Sequence, residues 1–392
     1  MNTQPLRDLC AIRHGGTPSK ANPAFWLGDI PWVSPKDMKS SLIQDASDHI
    51  SVEAIENSAA SLVPAKTVLV VVRSGILAHT LPVAQTARPL AFNQDIKALT
   101  PDVTKIDPDY VYWFLRARAS FTIQQGVKKG ATVHSLRSGF LENLPVPMLA
   151  DSKQREIVDL LSRADGIVKL RKDAQRVVAD LLPAVFAGIF GDPGTNPMDW
   201  PMATLGDVLT SADYGSSAKA SSEGVGLPMI RMGNVTYSGE LDLSDLKYVH
   251  LDAEDIERFG LRDGDILFNR TNSKELVGKT GLWDGSTDAV LASYFIRLRV
   301  NRTIASPTYV WAFMNSAHMK RVLFATARGA IGQSNINSKE LRAFRIPLPP
   351  EHLQREFEEQ CRALTDLRAQ QRRSLEKAEA ALNALMARCF PV

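Results

Sequence analysis

The chain has 392 residues, 44% of them hydrophobic, which is enough to build more than one core of ordinary size. A formal net charge of +3, from 46 basic and 43 acidic residues, excludes a uniformly basic or acidic protein and leaves charge distribution as the informative quantity. No purely aliphatic run is longer than Val68–Val72 and the start lacks a basic-then-apolar leader, so neither a membrane-spanning helix nor a signal peptide is expected.

Residues 1–150 read as a mixed α/β globule. β-rich runs such as Thr67–Val72, bounded by Gly, Pro, Asn and Asp, predict strands, and Tyr110–Arg118 predicts a helix that interrupts them. The segment Leu141-Glu-Asn-Leu-Pro-Val-Pro147 and then Lys153-Gln-Arg-Glu-Ile157 lead into a helical block over 151–190. There Ile157, Leu160, Ala164, Ile167, Ala174, Val178 and Leu181 recur at steps of three and four, with Arg171 as the polar interruption. That 3.5-residue spacing predicts a coiled-coil seam, in which a polar residue can set register. Pro183 and the run from Gly188 to Gly194 are expected to end the helix and open a linker.

The same order then returns. Leu341-Arg-Ala-Phe-Arg-Ile-Pro347 and Leu353-Gln-Arg-Glu-Phe357 repeat the earlier pair, with Gln154-Arg155-Glu156 and Gln354-Arg355-Glu356 lying 200 positions apart. The second block carries Phe357, Leu364, Leu367, Ala378, Ala381 and Leu385, interrupted by Gln360, Gln371 and Ser374. Upstream, Ile30-Pro-Trp-Val matches Leu227-Pro-Met-Ile, Val68–Arg73 matches Asp265–Arg270, Tyr110-Val111 matches Tyr309-Val310, and Gly130-Ala131 matches Gly329-Ala330. A helix is expected over Tyr309–Val322 and strands over Ala289–Val300. The period is far too long for a solenoid, so the chain is a duplicated unit. The expected divisions are a globule over 1–150, a long helix over 151–190, a second globule over 191–350 and a second long helix over 351–392. Each helical block of about 32 residues would span roughly 50 Å, and the matched phase predicts that the two pack together.

Motifs of catalysis come close and break. Gly278-Lys279-Thr280 resembles the end of a phosphate-binding loop, but Ser273 stands where its first glycine belongs. Asn22-Pro-Ala-Phe25 lacks a nearby glycine-rich methyl-donor loop, and the Pro-Asp pairs at 101–102 and 108–109 are followed by no Glu-x-Lys. The seven histidines show no metal-ligand spacing, and no nucleophile elbow appears. Cys10, Cys361 and Cys389 are too scattered for a disulfide framework or a zinc site, so a reduced, cytoplasmic protein is expected. No catalytic residue, metal site or cofactor is expected in the chain. Two windows free of acidic residues, from Asp109 to Glu142 and from Asp288 to Glu340, carry Arg116, Arg118, Lys128, Lys129 and Arg137, then Arg297, Arg299, Arg302, Lys320, Arg321, Arg328 and Lys339. A basic face repeated in both copies is the footprint of a polyanion partner.

Gly15-Gly-Thr-Pro-Ser19, Asn22-Pro23, Trp26, Gly28-Asp-Ile-Pro-Trp32 and Ser34-Pro-Lys-Asp37 together resemble the opening of a target recognition domain. Asn93-Gln-Asp95, Gly130-Ala131 and the Gln-Arg-Glu helix start extend the likeness. The family it resembles is the specificity subunit of type I restriction–modification systems. The second half departs, with Tyr214-Gly-Ser-Ser217 and Ala292-Ser-Tyr294 in the corresponding places. The resemblance implies two recognition domains that each read half of a split double-stranded DNA target, and an antiparallel helical ruler between them. It also implies two methyltransferase (modification) subunits that hold S-adenosylmethionine and methylate adenine, and ATP-using motor–nuclease (restriction) subunits.

Base edges are read by planar donors and amides, and phosphates by cations. On that chemistry the expected DNA contacts are Trp32, Ser34, Lys36, Arg73, Ser74, Lys128, Lys129 and His134 in the first half. In the second they are Arg231, Asn234, Arg270, Asn272, Arg328, Gln333 and Ser334. Arg73 and Arg270 are read as the same repeat position. Trp32 is more often a core residue than a base contact, and Arg73 or Arg270 has loop pinning as its alternative. Gln154, Arg155, Glu156, Gln354, Arg355 and Glu356 are expected to serve helix architecture and subunit docking. Competing readings are a scaffold that does not read DNA and a stand-alone DNA-modifying enzyme.

Overall fold

In the computed structural model the chain is described over residues 2–130, 132–330 and 333–391, with the backbone alone for 328–330 and 333. It divides into two compact units, one of Met1–Lys172 with Arg373–Val392 and the other of Asp173–Arg372. Both are mixed α/β.

The first unit is built on a five-stranded sheet in the order Cys10–His14, Ile96–Pro101, Val68–Val71, Val83–Thr86, Leu42–Ile43. Its middle strand is Val-Leu-Val-Val with every residue buried, the pattern of a strand covered on both faces. The second unit repeats this as Leu209–Tyr214, Phe295–Val300, Ile266–Asn269, Thr280–Leu282. The helix Pro108–Ala117 covers the first sheet. Its N-cap Asp107 accepts from the Asp109 and Tyr110 amides, and Tyr110 to Leu115 are buried. In the second unit the single helix expected over 309–322 is two, Pro307–Asn315 and Ala317–Thr326. Ser316 divides them because its backbone is extended and its side chain caps the second helix.

Gly15 and Gly215 hold the same place in the two units. A Cβ on Gly15 would lie 2.2 Å from the Asn93 carbonyl oxygen, and one on Gly215 would lie 2.3 Å from that of Ala292. Only glycine permits this backbone approach.

The long helices run Asp151–Phe190 and Glu351–Cys389, 40 and 39 residues, so each extends about 60 Å at 1.5 Å per residue. Neither Pro183 nor Gly188 ends the first one. Proline removes the hydrogen bond to the carbonyl four residues earlier, here that of Ala179. The guanidinium of Arg368 supplies the missing donor, at 2.9 Å from the Ala179 oxygen.

The seams keep Ile157, Val178 and Phe357 inward, and Ala164, Ala378 and Leu385 pack on the first core, but they depart from the expected phase at Leu160, Ile167 and Ala381. Ile157, Leu161, Val168 and Val178 are buried, whereas Leu160 and Ile167 are 44% and 52% exposed and Arg171 faces solvent. In the second helix Phe357, Cys361 and Leu382 are buried and Ala381 is exposed. The anchors at the helix starts set this phase. Gln154 is buried, donates to the Leu149 carbonyl at 2.9 Å and accepts from the Asp107 amide at 3.1 Å. Gln354 does the same with Pro349 and Ser306, both at 2.8 Å. Each glutamine thereby ties a long helix to the N-cap of the helix that covers the sheet.

Within the first unit Lys172 pairs with Glu379 at 2.9 Å, and Lys153 and Glu156 lie beside Cys389, so the two helical segments are antiparallel. Within the second, Arg368 reaches the Val178 and Ala179 carbonyls while Phe357 packs on Phe186 and Phe190, again antiparallel. Each core is closed by the tail of a long helix. Phe390 lies 5.1 Å from Tyr110, and its repeat counterpart Phe190 lies 4.9 Å from Tyr309, ring centre to ring centre.

Candidate nucleic-acid interface

In each unit a short strand meets two strands from much later in the chain on one small sheet. In the first, Arg73–Ser74, Val127–Lys128 and His134–Leu136 form a three-stranded antiparallel sheet with His134–Leu136 in the middle. Lys128 stands opposite Ser135, and Ser135 opposite Arg73, so these three side chains form a row on one face. Lys128 is exposed, and the Arg73 side chain is 62% exposed, 4.0 Å from Asp95. His134 pairs with Ser74 one step along, and its Nδ1 accepts from the Gly130 amide at 3.1 Å. Lys129 is exposed just beyond the strand, as is Arg137 on the other side. The candidates Arg73, Ser74, Lys128, Lys129 and His134 are therefore brought together.

In the second unit the sheet consists of Thr271–Asn272, Gln333–Asn335 and Arg328–Ala330. The matching row is Thr271, Asn335 and Arg328 by register. Arg73 corresponds here to Thr271 and not to Arg270. Two hydrogen bonds fix this: Leu136 donates to Val72 as Ile336 donates to Arg270, and Val72 donates to Asp95 as Arg270 donates to Tyr294. A slip of one residue along a strand turns a side chain to the opposite face. Arg270 accordingly packs its guanidinium over the Tyr214 ring at 4.8 Å, with its Nε buried and unpartnered among the described residues. Ser334 is only 6% exposed and is also turned inward, while the adjacent Asn335 is exposed. Asn272 donates to Asn269 Oδ1 at 3.0 Å and accepts from the Ser273 amide at 2.9 Å, which makes it a turn residue. The side chains of Arg328 and Gln333 lie outside the described residues, as does Ala131. Thr271 and Asn335 were missed because their strand register is not written in the local sequence.

The remaining candidates lie elsewhere and have structural work. Trp32 is 7% exposed in a side cluster with Phe25 and Ile50, and its indole N–H donates to the Gly16 carbonyl at 2.9 Å. No edge of it is left for a base. Ser34 and Arg231, repeat counterparts, each start a 3-10 turn closed by Asp37 and Asn234. Ser34 donates to Asp37 from its amide and its hydroxyl at 3.0 and 2.8 Å. Those bonds and two from Ser47, working against the burial that would raise it, hold the Asp37 carboxyl below its ordinary range. Asn234 accepts from the Arg231 amide and donates to the Asp242 and Asp245 carbonyls while only 2% exposed, so it is fully committed. Arg231 is paired with Asp245 at 3.2 Å and exposed Lys36 with Asp48 at 2.8 Å.

The basic windows also shrink. Arg297 and Arg299 gather on Asp265, with Arg299 Nε 3.0 Å from it, and Arg302 pairs with Asp263 at 2.9 Å. Arg116 is held by Asp165 at 2.9 Å over the Trp113 ring. These partners lie outside the windows in sequence, so a count within a window could not find them. Lys320 is turned in as well, donating to the Gly278 carbonyl at 3.0 Å beneath Tyr237.

Arg155, Glu156, Arg355 and Glu356 are exposed at the helix starts, whereas Gln154 and Gln354 are sealed inside their units and cannot dock a subunit. Among the described residues no three His, Cys, Asp or Glu side chains gather as a metal would require, and no helix is long and apolar enough to cross a membrane.

A family model described as "Type I restriction modification DNA specificity domain" matches residues 1–178 and again 197–376. The Escherichia coli type I restriction enzyme EcoR124I/EcoR124II specificity subunit is 39% identical over 154 residues, 39% of this chain and 38% of that one. The EcoKI specificity subunit of Escherichia coli strain K12 is 26% identical over 236 residues, 56% of this chain and 50% of that one. The matches thus span half or less of these relatives' length. The crystal structure of a type I restriction–modification S subunit from M. genitalium is similar at a TM-score of 0.58 and 13% identity, covering 100% of this chain and 96% of that one. A chain solved for the complex assembly and conformational transition of the type I R-M system reaches 0.61 at 16% identity, covering 99% and 97%. At such identities the likeness speaks for the fold. With a family model matched twice, over most of its length, this chain belongs to the type I restriction–modification DNA specificity family.

Proposed function

We propose that this chain is the DNA sequence-specificity subunit of a type I restriction–modification complex. Each recognition domain, over 1–150 and 191–350, reads one half of a bipartite, gapped double-stranded DNA target. The helices over 151–190 and 351–392 set the gap between the half-sites and dock two methyltransferase (modification) subunits. Motor–nuclease (restriction) subunits join that core. The chain itself is non-catalytic and works in the cytoplasm; S-adenosylmethionine and ATP belong to the partners.

The observation that carries this reading is the outward row on the small three-stranded sheet, present in both units with different side chains. Where Ser135 and Arg73 offer a hydroxyl and a cation, Asn335 and Thr271 offer an amide and a hydroxyl, while the third place of the row is basic in both, Lys128 and Arg328. One scaffold carrying two chemistries suits two different half-sites, because base edges are told apart by their donor and acceptor pattern. For docking, the exposed charges Arg155, Glu156, Arg355 and Glu356 stand at the helix starts. In the first unit Leu160, Ile167 and Leu170, 44%, 52% and 70% exposed, lie on the outer side of the first helix. Apolar side chains in such a line mark a protein contact.

The test is the adenine methylation pattern of cells that carry the methyltransferase partner with and without this chain. Methylation confined to one gapped, asymmetric motif and lost on deletion is expected. Unchanged methylation without the chain would favour a scaffold in its place.

A further inference from the structure

We infer that Asn335 is a base-reading residue of the second half, taking the edge of an adenine. The inference rests on the function just proposed and names the group that does the reading. Asn335 lies on the middle strand of the three-stranded sheet, between Thr271 and Arg328 in register. It is exposed, while its chain neighbours Ser334 and Ile336 are 6% and 0% exposed. Strand alternation therefore points its amide outward. The Thr271 hydroxyl lies 3.4 Å from Asn335 Oδ1, so the two side chains stand together on this face. A planar amide placed in this way donates to N7 and accepts from N6 of adenine in one bidentate contact.

Its repeat counterpart is Ser135, whose hydroxyl sits between Lys128 and Arg73. The position thus changes from a hydroxyl that accepts either base type to an amide that selects one, within a backbone that keeps its register. The neighbouring amide, Asn272, is spent on Asn269 and Ser273 and has no such freedom.

The experiment maps methylated motifs by single-molecule sequencing in cells that express the methyltransferase partner with the full chain. The chain is wild type, Asn335→Ala, Asn335→Asp or Asn272→Ala. Asn335→Ala is expected to relax one A·T position in one half of the motif by about tenfold or more, leaving the other half and the gap as they were. Asn335→Asp, nearly the same shape without the donor, should lose the same adenine preference. Asn272→Ala should leave the motif intact. A wild-type motif that both Asn335 variants reproduce at every position overturns the inference alone. Relaxation by Asn272→Ala and not by the Asn335 variants overturns it too. A wild type with no gapped motif overturns the proposed function with it.

Discussion

Arg368 donates to the carbonyl oxygen of Ala179 at 2.9 Å, in place of the amide proton that Pro183 lacks. Its other nitrogen pairs with Glu240 at 2.8 Å, which holds the guanidinium in position. The helix stays continuous because a side chain from a segment almost 190 residues away repairs its backbone. Arg368→Ala is expected to cost about 1.5–3 kcal/mol, the range for a hydrogen bond from a charged group. In a Pro183→Ala background, where the helix makes its own bond to Ala179, the cost should fall by at least half. Chemical unfolding of the four combinations measures this. Equal costs in both backgrounds would remove the repair role.

Phe390 and Phe190 close the two cores in equivalent ways, against Tyr110 and Tyr309. Phe390 is 1% exposed and Phe190 3%. Truncating either leaves a cavity, and about 3–5 kcal/mol is expected for Phe→Ala at such sites. The effect of Phe390→Ala should stay within the first unit, which hydrogen exchange resolves: faster exchange in the Val68–Val71 strand and unaltered exchange in Ile266–Asn269.

Burial, and after it the neighbouring Lys279 ammonium, pushes the Lys320 ammonium down to about 8. Unfolded, the group has its ordinary value near 10.5. Between those values the unfolded chain holds the proton and the folded chain does not, so stability rises with pH there. Below about 8 both states are charged and the folded one bears the full penalty. Lys320→Met should therefore stabilise the second unit by about 1 kcal/mol at pH 7, and this gain should shrink as pH rises from 8 to 10. The Gly278 carbonyl keeps the Thr280 hydroxyl as a donor in the variant. Thermal melts across that range test it; a gain independent of pH would contradict the buried charge.

The duplication, the two long helices and the pairing of Gln154 with Gln354 were legible in the sequence because they are local patterns repeated at a long period. What misled was phase. The shared letter Arg aligned Arg73 with Arg270, but by its hydrogen bonds Arg270 holds the place of Val72 in the repeat, and a strand presents opposite faces one residue apart. Leu160 and Leu161 are equally apolar, and only the buried Gln154 decides that Leu161 faces inward. Arg297 and Arg299 look free in sequence because their partners lie far along the chain, Asp213 on the strand Leu209–Tyr214 and Asp265 just ahead of Ile266–Asn269. Long-range partners carry no local signal.

Arg73 and Lys128 stand on the proposed DNA face, whereas Arg270 does not. Removing one phosphate-binding cation should lower the salt slope of DNA binding by about one and weaken binding to all sequences alike. Lys128→Ala in the assembled complex is expected to do this. Arg270→Ala should keep the slope and the motif while lowering stability, since it removes the stacking on Tyr214. A change of motif from Arg270→Ala would contradict the register of the second sheet.

The most direct measurement exchanges residues 200–350 for the corresponding stretch of a family member of different specificity and maps methylated adenines in cells with the methyltransferase partner. One half of the gapped motif is expected to change to that of the donor while the other half and the gap are kept. A motif that stays whole, or changes in both halves, would contradict the claim that each unit reads its own half of the target.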